Sequence, residues 1–217
     1  MRDTLLHASL ALMTLFGLSS PVARGTAQED RGAPNVQVLP AGERWVIRGG
    51  RNRVELDPNT LRMTIQTPGR KWTTLTSIAN DLLVESTGRT YPLCLADAVG
   101  RVVSPYGTGS KTGLKLSLQS FRHEGRTIDL ALDLFLCLEG PQEELVCEVV
   151  AHEDHAQVLE CLWPPGLAED SFDATVVPFM QGMLLPKNWS QKVWLYDTMS
   201  YGRGLYMPWW GHQSEKA

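Results

Sequence analysis

The chain has 217 residues, 43% hydrophobic and 20% charged, the balance of an ordinary soluble globular protein. That length admits one large domain or two small ones, and an all-β fold can use it as one. A formal charge of −4, with 20 Lys and Arg scattered along the chain, excludes a nucleic-acid surface built on clustered cations.

Residues 1–27 read as an export signal. MRDTLLH precedes the apolar run ASLALMTLFGLSS, and Gly25-Thr26-Ala27 supplies a small-residue exit, although Asp3 weakens the positive start. The apolar run is about a dozen residues, too short to cross a hydrocarbon core of ~30 Å. No other apolar run is long enough for a membrane span. A signal-peptide helix and a secreted or periplasmic location are therefore expected. Residues 28–43 follow as a polar leader, and a β-sandwich domain is expected over 44–211.

Strand periodicity begins at Trp45-Val-Ile-Arg48 and Arg53-Val-Glu-Leu56. Asp57-Pro-Asn-Thr60 is a turn, because Pro presets φ and Asp and Asn bond locally. Leu61-Arg-Met-Thr-Ile65 alternates after it, which completes a β-hairpin. The glycine-rich stretch 106–113 lacks the phosphate-loop pattern and reads as a mobile loop.

Residues 128–138 carry Ile or Leu at every even position, which a strand places on one face. The other face, with Asp129, Ala131, Asp133, Phe135 and Cys137, is partly wet, as an antiparallel sheet allows. A one-residue slip would invert every side chain, so face matching fixes registers. Pairing Glu139 with Glu144 sets Leu138 opposite Leu145, Leu136 opposite Cys147 and Leu134 opposite Val149. Pairing Ala151 with Gln157 sets Val149 opposite Leu159, Cys147 opposite Cys161 and Leu145 opposite Trp163. The expectation is a four-stranded meander over 113–122, 126–139, 144–151 and 157–163.

Four cysteines, Cys94, Cys137, Cys147 and Cys161, permit two disulfides in an exported chain. The register makes Cys147 and Cys161 neighbours, but cross-strand disulfides are strained, which favours buried thiols over a bond. The cluster Ala151-His-Glu-Asp-His155 offers metal-ligand types without a known zinc spacing, at a position that face matching gives to a loop. A solvated turn is expected there, with no metal and no cofactor. No nucleophile elbow or thiol-protease flank occurs, so no catalytic residue is assigned.

Five of the seven Trp lie at or after position 163. Trp163 has the strand phase of a core residue. Trp209 and Trp210 leave core, interface and ligand contact open, since aromatic faces stack on sugar C–H groups and also fill interface cores. The candidate carbohydrate or interface residues are Trp189, Arg203, Tyr206, Trp209 and Trp210.

Taken in order, the hairpin 53–65, the alternating strand 126–138, Val158-Leu-Glu-Cys-Leu-Trp-Pro-Pro165, Val177-Pro-Phe-Met-Gln-Gly-Met-Leu-Leu-Pro186 and Leu205-Tyr-Met-Pro-Trp-Trp-Gly211 resemble a known domain. It is the N-terminal, galactose-mutarotase-like β-sandwich ("supersandwich") of secreted glycoside hydrolases, of the endo-α-N-acetylgalactosaminidase-like or α-galactosidase-like groups. The resemblance covers residues 45–211 and implies an antiparallel sandwich that hands over to a (β/α)8 catalytic barrel. Such a barrel takes ~250 residues, so residues 212–217 read as a truncated junction, and the family's catalytic carboxylates have no counterpart here. The implied function is a non-catalytic accessory domain whose partners are carbohydrate, a barrel, or both. The alternative is a stand-alone secreted sandwich that binds carbohydrate or protein. A mutarotase-like enzyme would need a His and a Glu converging on a sugar ring, and His123 and His152 both fall in expected turns. The chain end either folds back as an edge strand or awaits a neighbour, and the neighbour is favoured.

Overall fold

The computed structural model describes residues 35–168, 172–177, 182–190 and 211–214. Its strands form antiparallel sheets joined mostly by tight turns, so the fold is all-β. The first sheet runs in chain order: β1 (Gln37–Ala41), β2 (Arg44–Arg48), β3 (Arg53–Leu56), β4 (Met63–Thr67) and β5 (Arg70–Thr73). β6 (Leu82–Ser86) and β7 (Arg89–Leu93) follow, then a 3-10 turn over Leu95–Asp97. Next come the long strands β8 (Ala98–Thr108), β9 (Lys111–His123), β10 (Arg126–Glu139) and β11 (Glu144–His152), which form a four-stranded meander. β12 (Gln157–Cys161) joins β6 and β7, while β13 (Ala174–Val177), β14 (Met183–Pro186) and β15 (Gly211–Gln213) make a small sheet of their own.

Alternation within the strands becomes burial. The even residues of β10 from Ile128 to Leu138 are all at most 6% exposed. They share one core with Leu114, Leu116 and Leu118 of β9, Ile47, Val54, Leu56 and Met63 of the first sheet, and Leu82 and Val84 of β6. Turn chemistry sets the connections. Glu124 and Gly125 both have positive φ (46° and 78°), the backbone of a two-residue hairpin turn that twists with its strands. Leu61 is fully buried but sits at φ 58°, so the extended strand starts only at Met63.

The register around the 139–144 turn is as expected: Glu139 pairs with Glu144, Leu136 with Cys147 and Leu134 with Val149. The next register is corrected. β12 pairs with β6, setting Val158 opposite Val84 and Cys161 opposite Leu82, so Cys147 and Cys161 are not cross-strand neighbours. The phase changes with the partner, because Val158 is 5% exposed and Leu159 43%. A bulge between Val158 and Glu160 lets the chain switch face before Trp163, which is buried as expected. Face matching could not choose between the two partners, since β6 offers an apolar row as good as that of β11. All four cysteines are free thiols.

Three further expectations change. Residues 37–41, read as polar leader, pair with β2, so the sheet begins inside that leader. The stretch 106–113 is the tip of a hairpin rather than a loop: Thr108 pairs with Lys111 around Gly109-Ser110, and Tyr106 with Gly113. Gly211, His212 and Gln213, expected as the end of the sandwich and a truncated junction, pair with Val176, Thr175 and Ala174 as an edge strand, while Tyr206–Trp210, for which a neighbour is expected, lie outside the described residues. His212 stacks on Phe172 at 4.2 Å and its Nδ1 lies 3.1 Å from Thr175 Oγ1.

Two buried carboxylates fix turns. Glu143 accepts the backbone N–H groups of Gly50 (2.6 Å), Arg51 (2.9 Å) and Asn52 (2.7 Å), which fastens the β2–β3 turn to the β10–β11 turn. Asp81 accepts Ser77 Oγ–H, and the N–H groups of Ile78 and Leu95, which ties the loop before β6 to the 3-10 turn. Burial raises the Asp81 carboxyl above its ordinary value despite these bonds.

Candidate functional site

The inner face of the β8–β11 sheet is spent on the core. Its outer face carries the odd residues of β9 and β10 with their neighbours, and this face has an organised set of side chains. On β10 the outward residues include Asp133, Phe135 and Cys137. Opposite them stand Ser117, Lys115 and Gly113 of β9, and Val150, Glu148 and Val146 of β11. β8 adds Val102, Ser104 and Tyr106 beside Ser117, Lys115 and Gly113.

Gly113 shapes the face. It lies between Tyr106 and Cys137, and a Cβ there would run into the Leu136 carbonyl and the Cys137 Cα. With no side chain at 113, the Tyr106 ring crosses β9 and meets Phe135 on β10, at 4.7 Å between centroids and 59° between planes. Tilted pairs of this kind suit the ring quadrupoles. Lys115 stands directly opposite Phe135 and its Nζ lies 5.7 Å from the ring centroid, within cation–π range.

Beside the rings lies a charge cluster centred on Asp133, which is 8% exposed. Its Oδ2 takes Lys115 Nζ at 2.8 Å and His152 Nε2 at 2.9 Å, and its Oδ1 accepts Ser117 Oγ–H at 2.6 Å. Burial alone would raise this carboxyl, but the bonds from Lys115, Ser117 and His152 outweigh it and hold the group below its ordinary value. A second ion pair, Lys111 with Glu148, crosses from β9 to β11. His152 therefore ends a strand and joins the cluster, while residues 153–155 of the metal-like run lie in the loop after it. That loop borders an open polar depression of about 310 Å³ with Glu85, Ser86 and Thr87, and its His155 pairs loosely with Asp129 at 3.7 Å.

This arrangement holds and orders groups; it is poorly set up for bond-breaking. Ser117 donates to Asp133 and not to His152, and a carboxylate held below its ordinary value by Lys115 and His152 is a weak base for activating that hydroxyl. Asp133 is pinned in its charged form by three partners and is a poor proton donor. Burial pushes the thiols of Cys137, Cys147 and Cys161 up to about 12, which keeps them protonated and unreactive. Among the described residues no three of His, Cys, Asp and Glu come together as a metal site. Also among the described residues, no helix is long and apolar enough to cross a membrane.

Of the five aromatic and cationic candidates, only Trp189 falls within the described residues. It follows β14, is 53% exposed, and its backbone N–H donates to the Pro186 carbonyl at 2.9 Å. Arg203, Tyr206, Trp209 and Trp210 lie outside the described residues, as does the expected signal segment 1–27. Sequence reasoning missed the Tyr106–Phe135–Lys115–Asp133–His152 face. Its one available signal was the run of polar and aromatic residues at odd positions of β10, which had been read as ordinary wetting.

No protein-family model matches the chain, and no curated protein matches it either. Solved structures do. The α-N-acetylgalactosaminidase NagBb from Bifidobacterium bifidum, in complex with Gal-NHAc-DNJ, is 23% identical over 76% of this chain, with a TM-score of 0.57. The same enzyme with GalNAc aligns over 80% of the chain at a TM-score of 0.55, and its ligand-free form over 74% at 0.53. At this identity the likeness is one of fold, and the aligned chain spans only 26% of the length of the first of these enzymes.

Proposed function

We propose that this chain is the non-catalytic N-terminal accessory domain of a secreted glycoside hydrolase that acts on carbohydrate. The observation that carries the reading is the likeness of fold to a glycoside hydrolase over three-quarters of this chain but about one quarter of the enzyme. A piece of that size leaves room for a (β/α)8 barrel of ~250 residues in the remainder. In this reading the segment 1–27 directs export. Trp189, Arg203, Tyr206, Trp209 and Trp210 are the residues this reading assigns to contact with the barrel or the glycan.

The test pairs an activity measurement with gene context. The 217-residue chain, assayed on aryl α- and β-glycosides, is expected to show no hydrolysis above buffer. A barrel-encoding sequence is expected in the same transcript or the longer gene. Hydrolysis by this chain alone would overturn the non-catalytic reading. The stand-alone alternative, a secreted sandwich that binds carbohydrate, is favoured by one observation of its own: the fixed aromatic and charged outer face of the β8–β11 sheet.

A further inference from the structure

We infer that the outer face of β8–β11 binds a neutral pyranose ring, stacked on Tyr106 and Phe135 with its hydroxyls held by Lys115 and His152. The inference borrows only its ligand class, carbohydrate, from the reading above.

Three features point to a sugar. The first is an aromatic platform built across three strands. Tyr106 and Phe135 are half-buried, and their contact exists because position 113 has no side chain to separate them. Such tilted rings offer apolar faces to the C–H groups of a pyranose. The second is a set of donors fixed before any ligand arrives. Asp133 spends both oxygens on Ser117, Lys115 and His152, so it acts as a positioning residue. An ammonium carries three donors, and a His ring nitrogen remains beyond the one bonded to Asp133. Lys115 is 33% exposed at its side chain and His152 48%, so both can be reached from solvent. Groups ordered in this way lose little entropy on binding.

The third feature is the mixture itself. An apolar partner would have to desolvate the Lys115–Asp133–His152 cluster and the Lys111–Glu148 pair, which costs more than the small aromatic patch returns. An anionic ligand would face Glu148 and Asp133 as well as the lysines. A neutral, polyhydroxylated ring suits C–H surface beside paired charges, because it stacks and hydrogen-bonds at once.

The experiment is a ¹⁵N-¹H titration of the whole chain with galactose, N-acetylgalactosamine, glucose and mannose in turn. At least one sugar is expected to bind with a millimolar Kd, the range of a few contacts. The amides that move should belong to residues near Tyr106, Lys115 and Phe135. Tyr106→Ala and Lys115→Met are each expected to weaken binding about tenfold, or ~1.4 kcal/mol. Phe135→Leu keeps apolar volume but removes the ring, and should weaken binding similarly; it covers the case in which Tyr106→Ala disturbs the edge strand. Leu39→Ala, on β1 of the first sheet, should change nothing. The inference is overturned if none of the four sugars moves these amides, if the shifts cluster elsewhere, or if Phe135→Leu and Lys115→Met bind as wild type. Such a failure leaves the accessory-domain reading intact, since that reading falls only to hydrolysis by this chain or to a gene without a barrel.

Discussion

Removing the Glu143 carboxylate should loosen one end of the molecule by a calculable amount. Three consecutive backbone N–H groups, of Gly50, Arg51 and Asn52, converge on this side chain at 2.6–2.9 Å, and Glu143 is 6% exposed. The Asn52 side chain returns a bond to the Glu143 carbonyl at 2.8 Å. A hydrogen bond to a charged group contributes about 1.5–3 kcal/mol, so three set an upper bound of roughly 4.5–9 kcal/mol. The β2–β3 turn is at the surface and water can reach its amides once the carboxylate is gone. The expected cost of Glu143→Ala is therefore about 2–4 kcal/mol, a large effect for one position. For a chain of this size that lowers Tm by about 5–15 °C. Gly49 supplies an internal check, because a Cβ at that position would occupy the space of the Glu143 carboxylate. Gly49→Ala should therefore be costly alone and nearly neutral in the Glu143→Ala background, a coupling of about 1–3 kcal/mol. Urea unfolding of the wild type, both single variants and the double variant measures all four corners. A Glu143→Ala cost below about 0.5 kcal/mol, the level of an ordinary surface change, would refute the reasoning.

Asp133→Asn should cost about 1–3 kcal/mol near neutrality, since Lys115, His152 and Ser117 lose a charged acceptor. The folded carboxyl lies below its ordinary value, so its stability is present above the unfolded pKa and lost as pH falls through the folded one. The variant's acid limb should accordingly be flatter than wild type, and identical limbs would sink the assignment. Thiol labelling at about pH 8 should leave Cys137, Cys147 and Cys161 unmodified in the native protein and reach all four cysteines in denaturant, because burial suppresses the thiolate. Rapid native labelling of Cys147 would contradict its burial. Burial lowers the His212 pKa below 6.5, so the contribution of neutral His212 is complete above the unfolded value and declines as pH falls below it. Amide exchange at Thr175 and His212 should speed up, relative to β9 and β10, as pH falls below about 6.5. Protection unchanged on acidification would exclude a role for the Phe172–His212 contact in holding β15.

Local pattern determined a good deal of this protein. The alternation from Ile128 to Leu138 set the strand, its buried face and, through the short Gly-Pro-Gln-Glu turn, the register of β10 against β11. A turn of four residues leaves few ways to match two apolar rows, so sequence and structure had to agree there. The Asp-Pro-Asn-Thr turn marked the β3–β4 hairpin, whose second strand starts at Met63 because Leu61 has positive φ. The thiols are free as expected but for another reason, since Cys147 and Cys161 lie in different sheets and are not cross-strand neighbours.

Tertiary structure decided what depends on partners distant in sequence. β12 satisfies its apolar residues against β6, some 75 positions earlier by Val158 opposite Val84, and periodicity records which side chains share a face without naming the neighbour. The edge pairing of β15 with β13 had the same cause, since a three-residue strand carries almost no pattern of its own. The outer face of the meander was the least legible. Tyr106, Lys115, Asp133 and His152 come from four different strands, and only the side-by-side order of β8, β9, β10 and β11 brings them together. The sequence alone determined that these strands would bury leucine on one side. The fold determined that the other side would gather two aromatic rings and a pinned carboxylate, because cross-strand proximity is a property of sheet order rather than of any single strand.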